Sequence, residues 1–217
     1  MQDKLHQGQP ILTAGASAGA ARGAMILLHG RGDTASNILM LRRELAHPDF
    51  RYYAPAAAGN TWYPNRFTAP IPSNEPYLTS ALQAIAEVLA QVNADDVPPE
   101  RTLLLGFSQG ACLTLEHAFR HPRRYGGIAA LSGGLITPPG PETRLPSSML
   151  GTPVFLGCSD YDPHIPEERV RQSAEIFRLG GANVDLRIYP GLGHTLCDDE
   201  LDVVRAQMQS LLSTHAK

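Results

Sequence analysis

Positions 106–110 read Gly-Phe-Ser-Gln-Gly and directly follow the short apolar run Thr102–Leu105. Such a run is typical of a buried parallel strand, and Ala111, Leu115 and Ala118 then recur at helical spacing. Between a strand and a helix, Gly-x-Ser-x-Gly forms a sharp turn that lifts the serine hydroxyl above the sheet edge. So short a motif also arises by chance, but its context makes Ser108 a candidate nucleophile for acyl transfer.

A serine hydroxyl is a poor nucleophile at neutral pH, so it needs a base, and the base needs an orienting acid. After this type of turn, the acid and then the histidine follow in the chain. His194, which ends a Gly-Leu-Gly-His segment before the last helix, is the predicted base, and His29 is its rival. Asp162 is the favoured acid, whereas Asp160 could instead brace the same loop.

The negative charge of an acyl-transfer intermediate needs hydrogen-bond donors. The backbone N–H of Gln109 is expected at a helix N-terminus, beside the nucleophile. Positions 29–32 read His-Gly-Arg-Gly after an early strand, where hydrolases of this kind place their second donor. The sequence therefore predicts an oxyanion hole formed by the backbone amides of Arg31 and Gln109. A simple tight turn is the alternative explanation for the two glycines.

Residues 56–76 form a long irregular stretch with four prolines and the only tryptophan of the chain. Loops of this length in compact domains are uncommon and are often functional. Four of its apolar side chains are candidate walls of an acyl-binding pocket: Trp62, Tyr63, Phe67 and Ile71. Packing of this loop on the protein core is an equally good interpretation.

Strands and helices alternate along almost the whole chain. The predicted strands are Ile11–Thr13, Ala24–Leu28, Phe50–Ala54, Thr102–Leu105, Gly127–Leu131, Val154–Gly157 and Val184–Tyr189. The predicted helices are one capped by Ser36, then Leu78–Val92, Ala111–Phe119, Glu167–Leu179 and a last one from Asp198. This order predicts an α/β fold with a mostly parallel central sheet and helices on both faces. Ligands bind beyond the carboxyl ends of the strands in such sheets. Every loop that carries a candidate residue directly follows a strand.

The bulk composition fits one domain over residues 1–217, with residues 1–23 partly flexible. The net charge of −3 gives no indication of a nucleic-acid partner, and no apolar run approaches membrane-spanning length. The N-terminal region has no continuous apolar core, so we expect a cytoplasmic protein rather than a secreted one. The three cysteines, Cys112, Cys158 and Cys197, fit no metal-ligand spacing and indicate reduced thiols.

Taken together, these motifs resemble the phospholipase/carboxylesterase family of α/β-hydrolases, which includes the acyl-protein thioesterases. The matching segments occur in order: Leu-His-Gly-Arg-Gly-Asp at 28–33, Gly-Phe-Ser-Gln-Gly at 106–110, Asp-Pro-His-Ile-Pro at 162–166 and Gly-His at 193–194. The resemblance covers the chain from Met25 onward. It implies a compact serine esterase without a large cap domain, metal or organic cofactor. It also implies triad roles for Ser108, Asp162 and His194.

Three features depart from the thioesterase pattern: Arg31 replaces an apolar residue, Ala111 replaces a second glycine, and the loop at 62–64 differs. These departures weigh against a lipidated-protein substrate. We therefore expect a serine carboxylesterase acting on small to medium acyl esters. A thioesterase and a catalytically silent ester-binding module are the alternatives. A homodimer is compatible with the sequence.

Overall fold

A computed structural model describes residues 5–138 and 145–214, the last of these by its backbone alone. Within these residues, seven strands alternate with five α-helices. The strands are β1 (Ile11–Gly15), β2 (Gly23–Leu28), β3 (Phe50–Pro55), β4 (Thr102–Phe107), β5 (Gly127–Leu131), β6 (Pro153–Ser159) and β7 (Asn183–Tyr189). The helices are α1 (Ala35–Ile38), α2 (Tyr77–Ala94), α3 (Gln109–Arg120), α4 (Glu167–Leu179) and α5 (Asp198–Thr214). Short 3₁₀ turns cover Leu39–Arg43, Ala58–Asn60, Ile71–Asn74 and Pro99–Arg101.

The strands form one sheet in the order β1-β3-β2-β4-β5-β6-β7. Only β1 runs antiparallel, against β3, and every other neighbouring pair is parallel. Because β2, β4 and β5 are central and covered on both faces, all their residues except Phe107 are buried. The predicted mostly parallel sheet is therefore confirmed, and the loops that follow β2, β4, β6 and β7 meet at its carboxyl edge.

Apolar side chains cover the two faces of the sheet separately. On one face, α2, α3 and α4 contribute buried residues such as Leu78, Leu113 and Val170. On the other, α1 and α5 contribute residues such as Ile38 and Val204. Helices therefore lie on both faces, as predicted, and they fix the sheet edge that carries the candidate site.

Two local expectations were wrong. The first helix is capped by Thr34 rather than Ser36: the extended backbone of Thr34 lets its hydroxyl accept the N–H of Asn37 at 3.1 Å. A histidine in the predicted helix Ala111–Phe119 is expected at the surface, but His117 is only 2% exposed because α3 is buried along nearly its whole length. Burial lowers the pKa of His117 to about 3, so this side chain is a neutral part of the core.

Candidate active site

Ser108 occupies the tight turn between β4 and α3. Its backbone has φ 54° and ψ −118°, a conformation that a residue with a Cβ adopts only at a cost of about 1–3 kcal/mol. The turn is tied down because the N–H of Ser108 donates to the carbonyl of Leu131, at the end of β5, at 2.9 Å. The predicted strand-turn-helix context of the serine is therefore present.

The two glycines of the motif allow three backbone segments to meet. A Cβ on Gly106 would overlap the backbone of Gly110, and a Cβ on Gly110 would overlap the carbonyl of Leu28 in β2. Helix α3 can approach the central strands this closely only because both positions lack a side chain.

We expect Gly110→Ala to lower the free energy of unfolding by about 3 kcal/mol, since backbone atoms must move to relieve the overlap. Gly30→Ala is the matched control, because its added Cβ would find its nearest neighbours at an ordinary 3.5 Å. Urea unfolding followed by circular dichroism measures both. Equal stability of the two variants would contradict the close approach of α3 to β2.

The three predicted catalytic side chains form one hydrogen-bonded chain. Nε2 of His194 lies 2.9 Å from Oγ of Ser108, and Nδ1 of the same ring lies 2.7 Å from Oδ2 of Asp162. The carboxylate is fully buried and the imidazole is 19% exposed. A base within hydrogen-bond reach of both a hydroxyl and an orienting acid is the geometry that activates a serine.

The loop after β6 aims the carboxylate of Asp162 at the imidazole. Its Oδ1 accepts the backbone N–H groups of His164 at 2.8 Å and Ile165 at 3.0 Å, which leaves Oδ2 for His194. Asp160 instead accepts the N–H of Gly191 at 2.8 Å and so braces the loop that carries the histidine. Asp162 thus contacts the candidate base, whereas Asp160 braces the neighbouring loop, and these are the two roles considered from the sequence.

Two aromatic side chains that the sequence did not single out pack against the imidazole of His194. The ring of Phe107 lies 5.1 Å from it and the ring of His164 lies 4.8 Å from it, both measured between centroids. Both residues lie within recognised motifs, Phe107 directly before Ser108 and His164 two positions after Asp162. Their positions in these motifs were the only sequence signal that they would lie beside His194.

His29, the rival base, is fully buried, and both of its ring nitrogens contact backbone groups. Its Nε2 accepts the N–H of Ala57 at 3.1 Å and its Nδ1 lies 2.8 Å from the carbonyl of Gly30. Burial lowers the pKa of His29, so the neutral ring joins the two loops after β2 and β3. Its contacts are structural.

The two residues predicted to supply the oxyanion donors, Arg31 and Gln109, both line the cavity beside Ser108. Gln109 is the first residue of α3, so its backbone N–H has no acceptor within the helix. The loop after β2 reaches the serine, since a Cβ placed on Gly30 would lie 3.5 Å from that of Ser108. Arg31 follows this contact and lines the same cavity as Ser108 and Gln109.

The side chains of these same two residues hold the loop after β3. The Gln109 amide accepts the N–H of Trp62 at 2.9 Å and donates to the carbonyl of Tyr63 at 2.8 Å. The Arg31 guanidinium donates to the carbonyls of Pro64 at 2.8 Å and Asn65 at 2.6 Å. No pattern in the sequence predicts this clamp, which links the wall of the cavity to the candidate donors.

A cavity of about 800 Å³ opens beside Ser108. Of the four apolar side chains predicted for an acyl pocket, Tyr63 and Phe67 line this cavity, whereas Trp62 and Ile71 are not among its lining residues. Trp62 is instead fully buried. Its indole N–H donates to the backbone carbonyl of His29 at 2.9 Å, and its ring packs on the imidazole of the same residue. Cys112 and Ile165 complete the apolar wall.

A buried carboxylate fixes the start of α5, just after the loop of His194. Oε2 of Glu200 accepts the N–H of Cys197 at 3.0 Å, while Oε1 has no hydrogen-bond partner among the described residues. Burial raises the pKa of Glu200 to about 7.

The stability of the protein should therefore fall between about pH 4.5 and pH 7, because the unfolded chain ionises Glu200 in this range while the folded chain keeps its proton. The isosteric Glu200→Gln variant should escape this loss and gain about 3 kcal/mol over the native chain across the same range. Thermal unfolding at a series of pH values tests this. The control, Glu175→Gln, replaces an exposed carboxylate, and an identical pH profile for the native chain and Glu200→Gln would contradict the argument.

Cys112 and Cys158 are buried free cysteines. Burial raises the pKa of Cys112 and of Cys158 to about 12, so both are neutral thiols. Within residues 5–138 and 145–214, no group of three or more His, Cys, Asp or Glu side chains is arranged to hold a metal ion. No helix in this part of the chain is long and apolar enough to cross a membrane.

Known proteins resemble this chain over most of its length. The phospholipase/carboxylesterase family profile matches residues 12–212. A crystal structure of a phospholipase/carboxylesterase from Dyadobacter fermentans superposes with a TM-score of 0.88 at 40% identity, covering 93% of this chain and 97% of that one. A probable carboxylesterase of rice is 27% identical (93% of this chain, 81% of the relative), and acyl-protein thioesterase 1 of Saccharomyces cerevisiae is 28% identical (89% and 95%). The fold is that of the α/β-hydrolases, and the chain belongs to the phospholipase/carboxylesterase family.

Proposed function

We propose that this protein is a serine carboxylesterase that hydrolyses small to medium acyl esters through an acyl-enzyme on Ser108. The observation that carries the proposal is the hydrogen-bonded chain from Ser108 through His194 to the buried Asp162. Family membership supplies the reaction class, and this chain of contacts supplies the residues for it.

In the first half-reaction, Oγ of Ser108 forms a bond to the ester carbonyl carbon while Nε2 of His194 takes the hydroxyl proton. Asp162 holds the imidazole in the tautomer that can accept this proton, and it stabilises the resulting cation. The intermediate collapses when its bond to the alcohol oxygen breaks, and His194 gives the proton to that oxygen. Water repeats the sequence on the acyl-enzyme and releases the carboxylic acid.

The carbonyl oxygen becomes negative in the tetrahedral intermediate. In this proposal the backbone amides of Arg31 and Gln109 donate to it, and each such donor typically contributes about 3–4 kcal/mol of barrier lowering. Their geometry is maintained by the clamp on the loop after β3, since this clamp uses the side chains of the same two residues.

The acyl group fits the cavity next to Ser108. Its volume of about 800 Å³ is in the range that holds a small to medium organic ligand. The apolar side chains of Tyr63, Phe67 and Ile165 give the alkyl chain a surface to bury against, and this burial favours acyl groups of several carbons over acetate.

Labelling with a fluorophosphonate tests the proposal directly. The reagent should modify Ser108 alone among the serines, as shown by peptide mass spectrometry, and should abolish hydrolysis of p-nitrophenyl butyrate in proportion to labelling. Prior incubation with a competing short-chain ester should slow the labelling. Modification of another residue, or full turnover after complete labelling of Ser108, would refute the assignment.

Thioester hydrolysis is the second candidate, because an acyl-protein thioesterase is among the relatives and the same triad attacks thioesters. Measuring kcat/KM for butyryl oxygen esters and thioesters with matched alkyl leaving groups separates the two. A large preference for the thioester would replace the carboxylesterase proposal. Binding of esters without any turnover would instead support the silent binding module. The cytoplasmic location and the homodimer stay predictions.

A further inference from the structure

A second cavity lies next to the one that holds Ser108. Its volume is about 420 Å³, and it shares Asp33, Phe107 and His194 with the larger cavity. Neither Ser108 nor the candidate oxyanion donors line it. The two cavities therefore adjoin at the imidazole of His194, and the smaller one extends away from the nucleophile.

Apolar side chains make up half of the residues that line the smaller cavity. Ile38, Met40 and Leu41 come from α1 and the 3₁₀ turn that follows it, and Leu196 comes from the loop after His194. The side chain of Met40 is 42% exposed, and Leu41 and Leu196 are half-buried. These side chains leave apolar surface that a ligand could cover.

The mechanism determines which part of an ester lies on this side. His194 must deliver its proton to the oxygen of the departing alcohol, so that oxygen has to lie against Nε2. The acyl carbon is bonded to Ser108, and the acyl chain occupies the larger cavity. The alcohol portion consequently leaves past His194, where the smaller cavity begins.

We propose that this smaller cavity is a leaving-group subsite that binds an uncharged alkyl or aryl alcohol moiety. The inference rests on the proposed esterase function and adds to it a binding site for the alcohol portion of the substrate. Asp33 and Glu44 line the same cavity, and the Glu44 carboxylate is paired with the guanidinium of Arg205 at 4.0 Å. Asp33 accepts a hydrogen bond from the neutral side-chain amide of Asn37 at 2.9 Å. Anionic alcohols are therefore disfavoured there.

Butyrate esters of ethanol, butanol and hexanol test the subsite. Their acyl group is constant and their leaving groups have similar acidity, so differences in kcat/KM report binding of the alcohol chain. We expect kcat/KM to rise about tenfold or more from ethyl to hexyl butyrate. Because all three form the same acyl-enzyme, kcat should be nearly equal wherever deacylation limits the rate.

Met40→Asp places a charge in the subsite and should reduce the hexyl-to-ethyl ratio to less than about threefold. The dependence on acyl length, measured with ethyl butyrate and ethyl octanoate, should persist in this variant. Phe67→Ala, in the larger cavity, should weaken the dependence on acyl length and leave the dependence on alcohol length unchanged. Leu179→Asp is the matched control, since Leu179 is 63% exposed on α4 and lines neither cavity.

The outcomes separate the two proposals. Absence of turnover for every ester would overturn the esterase function and, with it, the subsite. Turnover with a flat response to alcohol length, or equal changes in alcohol and acyl dependence in Met40→Asp, would overturn the subsite alone. Phenyl butyrate should also exceed 3-carboxyphenyl butyrate in kcat/KM at low salt, and equal values would refute the effect of the carboxylates.

Discussion

Replacing Ser108 by alanine should lower kcat for p-nitrophenyl butyrate by about 10⁶-fold, the scale of nucleophile removal in serine hydrolases. The loss follows from the geometry, because Nε2 of His194 then has no hydroxyl to deprotonate within its reach. The backbone conformation at this position already accepts a Cβ, so alanine should leave the fold unchanged. Initial rates and a thermal unfolding curve for the purified variant measure both quantities.

The double variant Ser108→Ala/His194→Ala should be no slower than Ser108→Ala alone, because residues that act as one unit lose their contribution together. Ser132→Ala is the matched control. Ser132 lies at the end of the neighbouring strand β5 with a similar positive φ of 52°, and its side chain does not line either cavity beside His194. Native-like rates in Ser108→Ala, or additive losses in the double variant, would contradict a serine-histidine unit.

Periodicity in the sequence was sufficient to place the scaffold. Helix α4 and strand β5 begin and end at the predicted residues, Glu167–Leu179 and Gly127–Leu131. The sequence pattern is complete in both elements. Apolar residues recur at helical spacing on one face of the helix, and the strand is an unbroken apolar run. Where boundaries moved, as at β4, the strand continued into the turn that carries the serine.

Long-range contacts were not predictable in the same way. For Trp62, which lies in a long loop, the sequence left substrate contact and packing on the core equally open. The structure shows its indole N–H donating to a carbonyl in a segment 33 residues earlier. The clamp by Gln109 spans 46 residues or more. Propensity and spacing carry no information about which distant backbone group a buried side chain will meet, so polar contacts between loops had to come from the structure.

The choice between the two candidate acids could be predicted only in part from the sequence. Asp160 and Asp162 are two residues apart in one loop, and the chain order that points to an acid serves both equally. The structure distinguishes them through local turn geometry: the amides of His164 and Ile165 capture one oxygen of Asp162 and turn the other toward His194. Nothing in the residue types alone specifies that turn.

Asp162→Asn should consequently lower kcat by about 10⁴-fold. The amide oxygen of asparagine can replace Oδ1 and still accept the two backbone N–H groups, so the loop should keep its conformation. The amide nitrogen then takes the position of Oδ2 and donates to Nδ1 of His194. This contact fixes the tautomer with a proton on Nε2, which cannot accept the proton of Ser108.

Asp160→Asn is the matched control, two residues away, and should retain kcat within about tenfold because its amide oxygen can still accept the N–H of Gly191. Steady-state rates should be measured for both variants together with the rate of fluorophosphonate labelling. In Asp162→Asn, both rates should fall together, since each depends on the same deprotonation of Ser108. A large loss in Asp160→Asn with near-native rates in Asp162→Asn would reverse the assignment of the acid, and equal small losses would show that neither carboxylate orients the histidine.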